Sequence, residues 1–573
     1  MTFKQPPPYK DILIANKEPG LNYKNIWGDG VTNESFERLY SSDMVLFSGY
    51  YHDGETICYR QTEKILSNPL TGSFASIHVL ENEIVAKTDI FGLSFLYLYQ
   101  HGDIWALSNR YEMILDWASS CALPLQLNTS PFIRGLTSIE QCFSQRHSRE
   151  CDFSQIRFIA LDESVIIKSN GVSISKNTAF TDLLEAHDEN YDQLIDAAAQ
   201  EIKNNTRGIF NSGGCRNVIC DLSGGFDSRL VFAAIVGSGN ADKVAIRSNP
   251  VANSLDLEIA TTIADSFGLS YLSAQHHPQH FTNATTALGN AASYFLGEYY
   301  SYGTTAWSCE GKNTDTCRVS GGGGELYRAI NLKSVNASSK DPANFTKIAV
   351  RELANLELFS TSDHLDTLQI EVDKLPGDAT SKTEFHYIFY RNRIHYGMRA
   401  WDTQHECVVY QPAISINLFK ASRCLSAEER SIEKAMLDVT NRMLPVVTCF
   451  PYATKGNFNT DILNQSDPTL KNLNLKISAV SERWEESQNS LKASILENRR
   501  KINASEALEW REINNIIKSE ALKHIEHLAE TIDDAKAQSI FNSVANIESD
   551  RKYLSLFLKI ISLGRQIEKY YQR

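Results

Sequence analysis

One stretch, VICDLSGGFDSRLVFAAIVGSG at residues 218–239, constrains this chain more than any other. Its apolar run Val218, Ile219, Cys220 and Leu222 predicts a buried strand; Ser223, Gly224 and Gly225 predict a tight turn, and Arg229 to Val236 a helix that stops at Gly237. Strand, glycine turn and helix together make an anion cradle. Glycines let the backbone approach a ligand closely, and a helix N-terminus aims unpaired N–H groups and a partial positive charge at it. The spacing fits neither a Walker A loop, which needs a lysine before Ser or Thr, nor a dinucleotide fingerprint.

The flanking sequence extends this unit. After Gly239 come a second apolar strand, KVAIRSN, and a helix, SLDLEIATTIADSF, with Ile259, Ile263 and Phe267 at helical spacing and Gly268 at its end. A short strand LSYLS follows. Strands alternating with helices predict an α/β fold with a doubly wound, mostly parallel sheet, whose ligands sit at the carboxyl ends of the strands. Four consecutive glycines in RVSGGGGELYRA, Arg318 to Ala329, carry an entropic cost that only a close approach or a positive φ explains. Earlier, short alternating apolar runs from Met44 to Tyr99 predict a β-rich unit, and Thr88 to Leu115 taken by itself fits a hairpin with aromatic cross-strand pairs. Glu384 to Arg399 predicts a helix whose Arg391, Arg393, His395 and Arg399 are candidates for an anionic ligand, although arginines in solvent or in ion pairs are commoner. From about Leu470 glycine and proline almost vanish, which predicts helices ending in an apolar stripe of Leu554, Phe557, Leu558 and Ile561 that packs on the core or a partner.

Composition removes several classes. A formal charge of −13 leaves no basic surplus for displacing counterions from nucleic acid. No apolar run reaches membrane-spanning length and the first residues lack the apolar core of a signal peptide, so a cytoplasmic protein without a membrane partner is expected. Eleven cysteines lie scattered without a CxxC pair, which suits reduced, buried thiols. His276, His277 and His280 cluster, but a proline interrupts them and no Cys or acidic residue stands at ligand spacing; a polar loop is the expected reading.

SGGFDS, Ser223 to Ser228, resembles the SGGxDS pyrophosphate loop of ATP pyrophosphatases, in particular the asparagine synthetase-like family. Ser254, Asp256, Ala260 and Ala264 reproduce that family's S-x-D-x-x-x-A-x-x-x-A helix start, and Asp89, Phe91, Gly92, Leu96 and Tyr97 resemble the RDxFGxxPLYY segment of its glutaminase-type domain. Val408 to Ser426 resembles its RVPFLDxxLVExA segment, with Pro412 matching and the aspartate missing. Arg442 to Phe458 resembles LPxxVxxRxKxGF, with Lys455 on the lysine and Ala453 in place of the arginine.

The resemblance implies a degenerate class II glutaminase-like domain at 1–180, an ATP pyrophosphatase domain at 181–469 and a helical C-terminal region at 470–573. The first domain departs from its family. Thr2 follows Met1, the first cysteine is Cys58, and SGYYHDGET stands where a glutamine-holding NGE motif belongs, so glutamine hydrolysis is not expected. For the second domain it implies ATP and Mg2+. Leu222, Ser223, Gly224, Gly225, Asp227 and Ser228 would bind ATP from the first loop, Ala245, Ile246, Arg247 and Ser248 from the next strand, and Gly321 and Gly322 from the second loop. Asp227 and Glu325 would hold the metal and Lys455 would cover the reacting groups. Gly322 stands where relatives carry a glutamate or a tyrosine linked to base work, so the base is not in its usual place.

The implied reaction is AMP-forming amide ligation of a carboxylate-bearing small molecule or peptide, with the amine supplied by the substrate, as in β-lactam synthetases and lasso-peptide cyclases. A homodimer or a partner biosynthetic protein fits such a role. The alternatives are an amidotransferase fed with ammonia by a partner glutaminase, a sulfur- or nucleotidyl-transferring relative, and a non-catalytic nucleotide-binding protein.

Overall fold

Short apolar strands build two mainly antiparallel sheets that face each other in the first third of the chain. The computed structural model describes residues 11–17, 31–32, 45–59, 64–67, 70–131, 148–184, 189–212, 217–248, 254–272, 316–329, 369–377, 379–398, 407–453, 515–532, 535–547 and 553–571. The strands are β1 (Leu13–Ala15), β2 (Val31–Thr32), β3 (Val45–Asp53), β4 (Thr56–Cys58), β5 (Gly72–Val79), β6 (Ile84–Thr88), β7 (Tyr97–His101), β8 (Ile104–Ser108), β9 (Ile156–Phe158), β10 (Glu163–Lys168) and β11 (Gly171–Lys176). They form a five-stranded sheet in the order β2-β1-β8-β7-β9 and a six-stranded sheet in the order β11-β10-β6-β5-β3-β4, with only the β1–β2 pair parallel.

Leu98, Trp105 and Leu107 point between the sheets onto Ile77, Ala86 and Val165. Their neighbours Tyr97, Tyr99 and Ala106 face outward, where Tyr111, Ile114 and Trp117 of helix α1 (Tyr111–Ser120) cover them. On the other side, Tyr50 and Ile57 pack in one cluster with Leu194, Ile195, Ala198 and Ile202 of α2 (Tyr191–Asn211). Helix, sheet, sheet and helix therefore stack in four layers. Thr88 to Leu96 forms the corner by which the chain leaves one sheet for the other, so the expected hairpin is confined to β7 and β8. Asp89 turns that corner, its buried carboxylate accepting from the N–H groups of Leu93 and Ser94 at 3.0 Å each and of Phe74 at 3.3 Å.

The second sheet system is wholly parallel. Strands β12 (Asn217–Asp221), β13 (Val244–Arg247), β14 (Tyr271–Leu272), β15 (Thr316–Val319) and β16 (Val408–Tyr410) lie in the order β14-β13-β12-β15-β16. The chain runs outward from β12 to one edge and then resumes on its other side at β15, which makes the carboxyl ends of β12 and β15 a topological switch point. Helix α3 (Phe226–Gly237) follows β12, and α4 (Ser254–Ser266) follows β13. Helices α5 (Ile416–Arg423) and α6 (Lys434–Met443) follow β16 and join α2 and α3 in the same apolar cluster as Tyr50 and Phe91, so one apolar cluster joins the two sheet systems.

Where a single helix was expected over residues 384–399, helical Ala379–His386 runs into the π-helical turns Tyr387–Arg391 and Arg393–Met398. Further along, a helix over residues 515–531, α7 (Ala535–Ala545) and α8 (Leu554–Tyr570) share their own core, in which Phe557, Leu558 and Ile561 are buried. The Tyr570 hydroxyl donates to Asp116 Oδ1 at 2.7 Å and ties this bundle to α1. Among the described residues no helix is long and apolar enough to cross a membrane. The α/β architecture, with a parallel sheet, a β-rich first part and a helical last part, matches the expectation from sequence.

Candidate active site at the switch point

Residues Leu222 to Gly225 leave β12 and enter α3 at Phe226, with Gly225 as the residue before the helix. The N–H groups of this loop are held in place by three oxygens. Ser223 N donates to Ser228 Oγ at 3.0 Å, Gly225 N to Ser223 Oγ at 3.2 Å, and Gly224 N to Asp256 Oδ1 at 2.8 Å. An anionic oxygen thus already sits on the cradle, the carboxylate from the first turn of α4. Glycine is required at 224, where a Cβ would come within 2.7 Å of Asp256 and 2.8 Å of Ala453.

The four-glycine stretch after β15 lies directly against the start of α3. A Cβ at Gly321 would stand 2.4 Å from the backbone carbon of Asp227, and one at Gly324 would overlap the Asp227 carboxylate. Gly323 adopts φ +98°, reserved for glycine. Close approach to the neighbouring helix therefore accounts for Gly321 and Gly324, and the left-handed backbone for Gly323. At Gly322 a Cβ would lie 2.7 Å from Gln411 Nε2 and 2.9 Å from the Tyr396 ring, so those side chains fill the space that a larger residue would take.

Two of the residues expected to hold metal come together here. Asp227 is in the first turn of α3 and Glu325 in the 3-10 turn Gly324–Tyr327. Glu325 accepts a hydrogen bond from the Tyr396 hydroxyl, delivered by the π-helical segment, and Asp227 accepts one from Arg328 Nη2. Arg328 also reaches Glu433 at 3.5 Å. Burial pushes Asp227 up to about 7; Arg328 works against this, and the charges of Glu325 and Glu433 add to it. That crowding marks a place short of positive charge, which fits a divalent cation. Among the described residues no group of three His, Cys, Asp or Glu could hold a metal by itself. A magnesium ion that arrives with phosphates needs only one or two protein carboxylates.

Lys455 lies outside the described residues, as do His276, His277, His280 and Arg399. The approach to Lys455 is described as far as Ala453, whose N–H donates to Gly224 O at 3.0 Å. Arg229, fully buried, clamps this approach: its guanidinium donates to the carbonyls of Phe450 and Pro451 at 2.8 Å each and stacks 3.7 Å from the Tyr452 ring centroid. Nothing in the sequence separates Arg229 from an ordinary helix arginine. Arg393 is likewise a buried structural residue. It donates to the carbonyls of Gly92, Ile159 and Ser94 and stacks over Phe158 at 4.1 Å, so it meets the corner of the antiparallel sheets and no anionic substrate.

The four candidate residues on β13 are placed less simply. Ile246 is in the core, its N–H given to Ser270 O at 2.8 Å, while Arg247 O accepts from Leu222 N at 2.8 Å. Ala245 pairs with Ile219 inside the sheet, and Arg247 aims its side chain at Asp221, 3.7 Å away. Ser248 is the first residue beyond the ladder.

No family model matches the chain, and no curated protein matches it. Among solved structures it is similar to the glutamine phosphoribosylpyrophosphate amidotransferase of B. subtilis, determined in complex with ADP and GMP, at 11% identity, over 47% of this chain and 45% of that one, with a TM-score of 0.13. The chain spans less than half the length of that protein.

Proposed function

We propose that this protein is an AMP-forming amide ligase of the asparagine synthetase-like type, using ATP with magnesium and an amine supplied by its own substrate. The observation that carries the reading is the meeting of two glycine loops on Asp227 at the switch point of a parallel sheet. In this reading a substrate carboxylate oxygen attacks the α-phosphorus of ATP, the bond from that phosphorus to the bridging oxygen breaks, and pyrophosphate leaves into the Ser223–Ser228 loop. The amine nitrogen then attacks the acyl carbon, the carbon–oxygen bond to AMP breaks, and the amine gives up a proton.

Asp227 and Glu325 are the carboxylates for magnesium, which would offset charge on the phosphates when bound. Tyr396 orients Glu325. Lys455 would stand over the α-phosphate and acyl group, two residues beyond the Ala453–Gly224 contact. To bind phosphate, Gly224 N must exchange the Asp256 oxygen for a ligand oxygen, a replacement of one anionic acceptor by another.

The test is incubation with Mg·ATP and candidate carboxylates and amines, following AMP and pyrophosphate. Substrate-dependent pyrophosphate that disappears in Asp227→Ala is the expected result. Release of ADP and phosphate instead would overturn the mechanism.

A further inference from the structure

We propose that Arg328 is a binding residue for the pyrophosphate half of ATP, exchanging its carboxylate partner for phosphate oxygens when a divalent cation takes Asp227; this rests on the reading just given. Three observations lead to it. First, Arg328 and a metal compete for one carboxylate, because Arg328 Nη2 is the donor on Asp227 Oδ1. An ion that takes that oxygen along the direction the guanidinium now occupies displaces it.

Second, only the end of the side chain is free to move. The 3-10 turn before it is pinned through Tyr327, whose hydroxyl donates to Ala413 O at 2.8 Å and accepts from Ser415 N at 2.9 Å, and through fully buried Leu326. The side chain is partly exposed, while its Nε is buried and has no hydrogen-bond partner among the described residues. Glu433, 3.5 Å from Nη2, keeps the head near the site after Asp227 is lost. Glu433 sits at φ +65°, a left-handed conformation that costs a non-glycine residue energy and is kept where the surroundings demand it.

Third, two other guanidiniums are held by partners of their own: Arg229 is enclosed by carbonyl groups, and Arg318 donates through two nitrogens to Asp221. Ala453 brings only a methyl group to the phosphate loop. Arg328 has a planar fork suited to phosphate oxygens, and its present partner is one of the groups that a metal would claim.

The exchange makes metal and polyphosphate bind together better than separately. A cation alone takes Asp227 and leaves Arg328 only the longer contact to Glu433, whereas a cation with pyrophosphate gives both partners close new ones. The experiment is Mn2+ binding by electron paramagnetic resonance and pyrophosphate binding by calorimetry, each alone and in the presence of the other, on the full chain. In the natural protein each should tighten the other by the same factor. In Arg328→Met, Mn2+ alone should bind several-fold tighter, pyrophosphate about tenfold to a hundredfold weaker, and the mutual tightening should vanish.

Arg328→Lys keeps the charge that balances Asp227 and loses the fork; it should fold and retain only part of the coupling. Unchanged pyrophosphate affinity and coupling in both variants would overturn the proposal and leave Arg328 a counter-ion. A natural protein that binds Mg·ATP, with variants that do the same, would therefore sink this inference alone, while a natural protein that binds neither ATP nor pyrophosphate would sink the ligase reading with it.

Discussion

Gly321 and Gly225 are both glycines of the two loops, yet they answer to different constraints. A methyl group at 321 meets backbone atoms of Asp227 and Ser228 at 2.4 to 2.6 Å, and backbone cannot step aside. At 225 it meets only Ser223 Oγ at 3.3 Å, with φ −88° and ψ 167° open to any residue. Gly321→Ala should lower stability by about 1–3 kcal/mol, and Gly225→Ala by less than about 0.5 kcal/mol, as midpoints of urea unfolding will show. Titratable residues in the antiparallel part make a second prediction. Burial holds His52 down to about 3, and His78 is held at about 4 by burial and then by Lys87. Both are neutral in the folded protein while the unfolded chain takes up protons below about 6.5. Their folded values are depressed, so the stability they contribute is present above that pH and is lost as pH falls toward 4. In His52→Leu the loss should be smaller, and the stability difference from the natural protein should widen in the variant's favour between pH 6.5 and 4. A constant difference across that window would contradict the assignment.

Among the elements, the π-helical turn Arg393–Met398 ties the two sheet systems together. Its first residue is buried in the corner after β6, its Gly397 allows Leu93 O to approach where a Cβ would be only 2.1 Å away, and its Tyr396 reaches Glu325 at the candidate site. Arg393→Met should cost about 3–5 kcal/mol, because three buried carbonyls lose a charged donor and Asp89 loses a compensating charge. Removing the hydroxyl in Tyr396→Phe should leave stability within about 1 kcal/mol, because one hydrogen bond contributes that much, and should weaken Mn2+ binding in the presence of pyrophosphate. An unchanged metal affinity would remove Tyr396 from the site. Of these links the sequence showed little. Asp89 and Gly92 stood out by their resemblance to a motif, but the partner of that corner, Arg393, is 301 residues beyond Gly92, and an arginine bound for the interior looks like any other in a helical stretch. Asp227, Glu325 and the glycines were legible because strand, turn and helix lie consecutively in the chain.

For the whole molecule, the shared core decides how it unfolds. Tyr50, Ile57 and Phe91 of the antiparallel part and Leu230, Ile235 and Phe419 of the parallel part belong to one apolar cluster, which separating the halves would expose to water. Chemical unfolding of the two should coincide, followed by Trp105 and Trp117 fluorescence for the first and by amide exchange in α3 for the second. Two separated transitions would show that the domains expected at 1–180 and 181–469 fold independently. The last helices have their own core and a narrow tie to α1, so exchange in α7 and α8 should be faster than in α3.

What the sequence by itself determined is local: a strand that must be buried, a glycine turn, a helix beginning at an anion cradle, and a sheet that must be mostly parallel because helices separate its strands. Periodicity and turn chemistry act over a few residues and can be read there. Only the tertiary structure decided that Asp256 occupies the cradle, that Arg328 and Glu433 surround Asp227, that Arg229 pins the approach to Lys455, and that Gly322 makes room for Tyr396. Each joins residues distant in the chain, and the energy of such a contact depends on the burial and geometry that the assembled sheets impose.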